Sequence, residues 1–157
     1  MKYALLGLIF GISMSVISWI IGMAMNSALV KTKYYTKISN FNFIPGKKLN
    51  EFIGIKYFKW IVKNTFFKFF NQQIKVESKK TDLTEIRNQM TISEISHLIG
   101  FVFVTFFAVY KSFSVHIIFG LTMMIGNILL NLYPSLLQQE NKRRIDKLIN
   151  KNTINKY

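Results

Sequence analysis

The sequence predicts an all-α membrane protein. About three transmembrane helices, with an amphipathic interfacial helix in a cytoplasmic loop, make one membrane domain over residues 1–157. Three observations predict this. Half of the residues are apolar and 15 % are aromatic, yet the formal net charge is +14. The charge is segregated: no Lys, Arg, Asp or Glu occurs in residues 3–30, and Lys111 alone occurs in residues 95–139. The uncharged stretches also reach the ~20 residues that a helix needs to cross ~30 Å of hydrocarbon. A soluble nucleic-acid-binding protein would spread its basic residues. Apolar blocks flanked directly by basic blocks speak for a membrane and against a nucleic-acid partner. The chain has no Cys, which removes disulfides, thiol nucleophiles and thiolate metal sites.

The first span is residues 3–30. Gly7, Gly11, Ser15, Ser18 and Gly22 recur at spacings of 3 and 4, which makes a flat helix face for close packing. The apolar run is too long for a signal-peptide core, and only Lys2 precedes it, so a retained anchor is expected. The loop over residues 31–90 carries thirteen Lys or Arg. The positive-inside rule therefore puts the loop in the cytoplasm and the N-terminus outside a cell membrane.

Within the loop, residues 31–50 read as an extended connection, with Asn40, Asn42, Pro45 and Gly46 as turn formers. Residues 49–71 then become apolar and basic together. Phe52, Ile55, Phe58, Ile61 or Val62, Phe66 and Phe69 fall near helical spacing, with Lys56, Lys59, Trp60, Lys63 and Lys68 mostly between them. Two readings fit: a helix lying in the membrane interface with its lysines towards anionic headgroups, or a helix packed on the ends of the spans with its lysines solvated.

Thr81 or Asp82 can cap a helix beginning near Leu83, with Glu85 in its first turn. That helix continues through the second span, residues 91–110. It places Arg87 and Glu94 on one face with His97 close by. Residues 111–114 read as a short exterior turn. Residues 115–137 form the third span, and residues 141–157 a basic cytoplasmic tail with six Lys or Arg. The third span carries Asn127, Asn131, Pro134, Gln138 and Asn141 at spacings of 4, 3, 4 and 3, one polar seam of a helix, with Arg144 next. Pro134 frees a backbone carbonyl. Such a seam must face protein or a wet cavity.

Ionisable residues at membrane depth are expensive and mark candidate sites. His97 suits a general base, with Glu94 three residues before it as its orienter. The Asn and Gln side chains can donate to a developing oxyanion, and Arg87 and Arg144 can hold an anionic donor. A base, an activated acyl donor and a lipid-linked hydroxyl would make an acyltransferase. Acyl-CoA or another acyl donor would be a co-substrate; no cofactor is expected. No metal is expected either, because Glu94 and His97 lack a third ligand, and His116 is placed at the opposite face. The same residues also fit a buried ion-pair and hydrogen-bond cluster that fixes helix register. On that alternative the protein is a non-catalytic membrane subunit that scaffolds a partner through its first span and basic loop.

The order Glu94-x-x-His97, an apolar hairpin, then Asn131-x-Tyr133-Pro134-x-x-x-Gln138-x-x-Asn141-x-x-Arg144 resembles the small membrane glycosyl-diaponeurosporenoate acyltransferases of carotenoid biosynthesis. Lys59-Trp60 is similar to that family's basic, Trp-containing stretch. Gln139, Glu140 and Lys142 depart from its pattern. The resemblance implies transfer of a fatty acyl group to a sugar hydroxyl of a membrane-bound glycolipid. It implies a working set of Glu94, His97, Asn131, Gln138, Asn141 and Arg144.

Overall fold

A computed structural model describes residues 1–40, 51–65 and 82–154. It is all-α among these residues. The helices are α1 (Lys2–Leu29), α2 (Tyr35–Ser39), α3 (Ile55–Asn64), α4 (Leu83–Ser114), α5 (Ile117–Asn127), a π-helical turn (Ile128–Leu132) and α6 (Tyr133–Ile154). Three stretches are long and apolar enough to cross a membrane: Lys2–Leu29, Leu83–Ser114 and Ile117–Asn152. The protein is a multi-pass membrane protein built inside out. Leu5, Ile9, Ile12, Val16, Ile20 and Phe106 point outward, while Ser15, Ser18, Asn26, Asn127 and Asn131 are buried. Lipid solvates large apolar side chains as well as protein does, so small and polar residues gain most from the interior.

The chain forms two compact units. The first comprises Met1–Phe41 and Ile92–Ser135. In it, α1 buries Gly7, Gly11, Ser15, Ser18, Gly22 and Asn26. All five expected small residues lie on this face, and Asn26 extends it by one turn. The backbones approach until a side chain has no room. A Cβ on Gly11 would sit 2.5 Å from the Met123 carbonyl oxygen, and one on Gly22 would fall onto the carbonyl of Ser96. Val104, Ala108 and Met123 form the apolar core here, with Phe10, Met14, Phe103, Phe119 and Met124 around it.

Three expectations need correction in this unit. The chain after α1 is not extended: Thr32 Oγ1 and successive amides bond back to the end of α1, and α2 follows at once. Residues 41–50 lie outside the described residues. The turn between the second and third spans falls at Val115–His116 rather than at residues 111–114. No Gly or Pro interrupts Lys111–Ser114, so α4 continues. The Lys111 carbonyl then accepts from both Val115 and His116 N–H. His116 takes an extended backbone, accepts the Ile118 N–H at Nδ1, and stacks on Tyr3 at 4.8 Å between centroids. That makes it a helix cap and packing residue. The third correction concerns the polar seam and is taken up with the site.

The second unit comprises Asn42–Thr91 and Leu136–Tyr157. Asp82 Oδ1 accepts the Thr84 N–H at 2.8 Å and starts α4 at Leu83, as expected. The beginning of α4 packs on the later part of α6 through Ile86, Met90 and Ile145, flanked by Leu83 and Ile149. The expected basic tail is helical through Ile154: α6 extends that far because its apolar residues have a partner face. Helix α3 opens at Gly54, whose positive φ of 78° is a backbone that other residues adopt only with strain. It buries Ile55 and Val62. Of the expected apolar stripe, Ile55 and Val62 mark the packed face, while Phe52 is exposed. Tyr57, Trp60 and Ile61 point outward with Lys56 and Lys63. The expected continuation over residues 66–71 lies outside the described residues.

Candidate functional site

The polar interior of the first unit begins with a defect in the third span. Pro134 has no N–H to give to the Leu130 carbonyl four residues earlier, and its ring crowds that carbonyl. The helix widens just before it. Tyr133 N–H bonds the carbonyl of Ile128, five residues back, and the π-helical turn results. The freed Leu130 carbonyl accepts the indole Nε1–H of Trp19 at 3.2 Å.

The widened turn inserts a residue into the helical count and moves the polar seam. The buried polar residues are Asn127, Asn131, Ser135, Gln139 and Lys142. Beyond Asn131 the seam stands one position later than constant periodicity predicts. Pro134, Gln138 and Asn141 are only partly buried. Gln139 and Lys142, two of the positions that depart from the family pattern, are buried instead.

A column of hydrogen bonds runs through α1, α4 and the third span. Asn127 Nδ2 donates to the Phe101 carbonyl at 2.9 Å and to Thr105 Oγ1 at 3.2 Å. Asn131 Nδ2 donates to Asn127 Oδ1 at 2.9 Å and to Ser18 Oγ at 3.1 Å. Ser18 Oγ donates to the Ser15 carbonyl at 2.7 Å. Two turns along α1 from Ser18, Asn26 Nδ2 donates to the Ile92 carbonyl at 3.0 Å and to Ser96 Oγ at 3.2 Å. The Oδ1 atoms of Asn26 and Asn131 are buried and meet no donor at full hydrogen-bond geometry among the described residues. Two such acceptors in one small interior are unusual, because each carries a desolvation cost of about 1–3 kcal/mol.

His97 stands beside this column and is half-buried. Its ring meets Trp19 edge-on, with 5.9 Å between centroids and 85° between planes. The Asn131 side chain lies against this part of α4, with its Oδ1 beside Gly100. Gly100, one turn after His97, makes the approach feasible: a Cβ there would lie 2.8 Å from Ser18 Oγ and 3.0 Å from Asn131 Oδ1.

Glu94 is 2 % exposed, and its backbone carbonyl accepts the Ser135 hydroxyl at 3.1 Å. Its charge acts on Tyr35 of α2. Burial pushes the Tyr35 phenol above its ordinary value of 10.0; Asn26 opposes this by hydrogen bonding and Glu94 adds to it by charge repulsion. The sequence reading missed Trp19, Asn26, Ser96, Gly100 and Tyr35. Asn26 was the accessible one, since it continues the small-residue spacing of α1.

The second unit holds the cationic candidates. Arg87 pairs with Asp146. Lys59 pairs with Glu140 at 2.9 Å, and Arg144, itself largely exposed, pairs with the same carboxylate at 2.6 Å. Glu140, a third departure from the family pattern, thus ties α3 to α6. Among the described residues no three His, Asp or Glu side chains converge on a point.

Comparison with known proteins agrees with the resemblance of the motifs. No curated protein and no solved structure matches the chain significantly. A family match covers residues 31–151, most of the chain, and its description is glycosyl-4,4'-diaponeurosporenoate acyltransferase. The matched region contains Glu94, His97, the π-helical turn and all the cationic candidates, so the chain belongs to the glycosyl-4,4'-diaponeurosporenoate acyltransferase family.

Proposed function

We propose that the protein moves a fatty acyl group from an activated donor to a hydroxyl of a lipid-linked or glycolipid acceptor at the cytoplasmic surface of the cell membrane. The observation that carries this reading is His97. It is the one imidazole in the polar interior of the first unit, half-buried and so reachable, beside a hydrogen-bonded column. Family membership supports acyl transfer as the reaction class.

In the proposed step a lone pair on His97 takes the proton of the acceptor hydroxyl as its oxygen attacks the acyl carbonyl carbon. The new ester C–O bond forms, the bond to the donor's leaving group breaks, and the leaving group receives the proton from the imidazolium. The donor is an activated acyl ester or thioester such as acyl-CoA. The excess of Lys and Arg in residues 31–90 supplies positive charge for an anionic donor. Trp60, Lys56 and Lys63 on the outer face of α3 suit an anionic membrane interface. The excess of Lys and Arg in residues 31–90 supports a cytoplasmic loop, with the N-terminus outside.

The scaffold alternative uses the small-residue face of the first span together with the basic loop. That face is buried within the protein itself. Cells carrying His97→Ala or Glu94→Gln test the two readings. Each variant should accumulate and insert normally while the lipid extract lacks one acylated species. An unchanged lipid profile in both would remove the enzymatic reading.

A further inference from the structure

The column around Asn131 has a property that its separate bonds do not show: its direction is forced from both ends. The Phe101 and Ser15 backbone carbonyls can only accept. Asn127 must therefore turn its amide nitrogen to Phe101 and its Oδ1 to Asn131. Ser18 must turn its hydroxyl proton to Ser15 and a lone pair to Asn131. Both N–H groups of Asn131 are consumed by these two acceptors, at 2.9 and 3.1 Å. Turning the Asn131 amide over would set oxygen against oxygen on both sides. Its Oδ1 is consequently fixed, buried and open, beside Gly100 and so one turn after His97 on α4. Gly100 leaves just enough room for it.

We propose that Asn131 holds neutral His97 in a single tautomer, with the proton on the ring nitrogen that faces Asn131 Oδ1 and the lone pair on the nitrogen that faces away. A carbonyl oxygen can pair with an N–H but repels a bare imidazole nitrogen. Trp19 keeps the ring plane by its edge-on contact, and is itself held by the Leu130 carbonyl that Pro134 vacates. Asn131 is thus a positioning residue. The inference deepens the acyl-transfer reading and rests on it for its catalytic consequence: the lone pair is held ready for a hydroxyl before the acceptor arrives. The tautomer itself can be tested without any activity.

The chain has two histidines. Selective ¹⁵N-histidine labelling of the full-length protein in detergent micelles gives two ring systems, and the His97→Gln spectrum assigns them. Above the titration range His97 should show one protonated and one bare ring nitrogen with no averaging. Averaged signals in the wild-type protein overturn the proposal outright. Asn131→Leu should average the two nitrogens and lower kcat by about tenfold or more with KM unchanged. Ser18→Ala, which frees one Asn131 N–H and leaves the Asn127 bond, should give partial averaging; it serves if Asn131→Leu does not fold. A fixed tautomer that persists in a folded Asn131→Leu protein also overturns the proposal. If the tautomer is fixed as described but His97→Gln retains full acyl transfer, the positioning stands and the base assignment falls.

Discussion

The Trp19 bond to the Leu130 carbonyl exists because Pro134 vacates that carbonyl, and the dependence can be measured as a coupling energy. Trp19→Phe keeps an aromatic ring and deletes the donor. It leaves the Leu130 oxygen without the 3.2 Å bond, in a helix surrounded by lipid. An unsatisfied buried carbonyl costs about 1–3 kcal/mol. The smaller ring adds roughly 1 kcal/mol for lost contact. Pro134→Ala restores an N–H four residues after Leu130, able to take the carbonyl without Trp19. In that background Trp19→Phe should cost only its packing share, so the double-mutant cycle should show a coupling of about 1–2 kcal/mol. The assay is unfolding of detergent-solubilised protein in increasing denaturing detergent, followed by far-ultraviolet circular dichroism so that loss of a tryptophan does not alter the signal. Costs that add to within about 0.5 kcal/mol would refute the link between the proline, the widened turn and the indole.

Further outcomes follow from the same geometry. Gly22→Leu drives a side chain into the Ser96 backbone, which cannot rotate away. It should lower stability by at least about 1–3 kcal/mol in the same unfolding assay, whereas Ile20→Leu, on the outward face, should change it by under about 0.5 kcal/mol. Tyr35 should ionise above the ordinary value of 10.0, and Glu94→Gln should bring it down by removing the repelling charge. Because the folded value is raised, its contribution to stability is present below about pH 10 and is lost as pH climbs through the folded value. Phenolate absorbance, corrected with Tyr35→Phe, reads this directly, and ionisation at or below 10.0 in the parent protein would contradict it. Trp60, 66 % exposed on α3, should be quenched by lipids brominated near the headgroup in anionic vesicles, judged against Trp60→Phe; quenching by aqueous iodide alone would argue against an interfacial α3.

Much of this architecture is legible in the sequence because lipid simplifies the code. Uncharged length marks the spans, and the 3-and-4 spacing of Gly7, Gly11, Ser15, Ser18 and Gly22 marks the face that the structure buries. The cap at Asp82 is legible for a similar reason, since its carboxylate acts within two residues. What escaped depended on a change of helical count. Proline after Tyr133 announces a defect, but a kink and a π-helical turn look alike in sequence, and only the second shifts the later residues by one position. The polar seam was therefore traced correctly through Asn127 and Asn131 and then misplaced onto Pro134, Gln138 and Asn141. The surroundings of His97 escaped for a different reason. Trp19, Ser18 and Asn131 lie far apart in the chain, and nothing local to Glu94-x-x-His97 shows that an amide stands before the ring. The α3 stripe was legible as a stripe, but periodicity does not say which surface it meets, and Ile55 and Val62 turn it inward.

The central claim is that His97 serves acyl transfer. The most direct test is purified protein in vesicles containing candidate glycolipid acceptors, supplied with a radiolabelled activated acyl donor. The account predicts that label enters the lipid fraction as an ester with the parent protein and falls by about a hundredfold or more with folded His97→Gln. Equal transfer by the parent protein and a folded His97→Gln protein would contradict it.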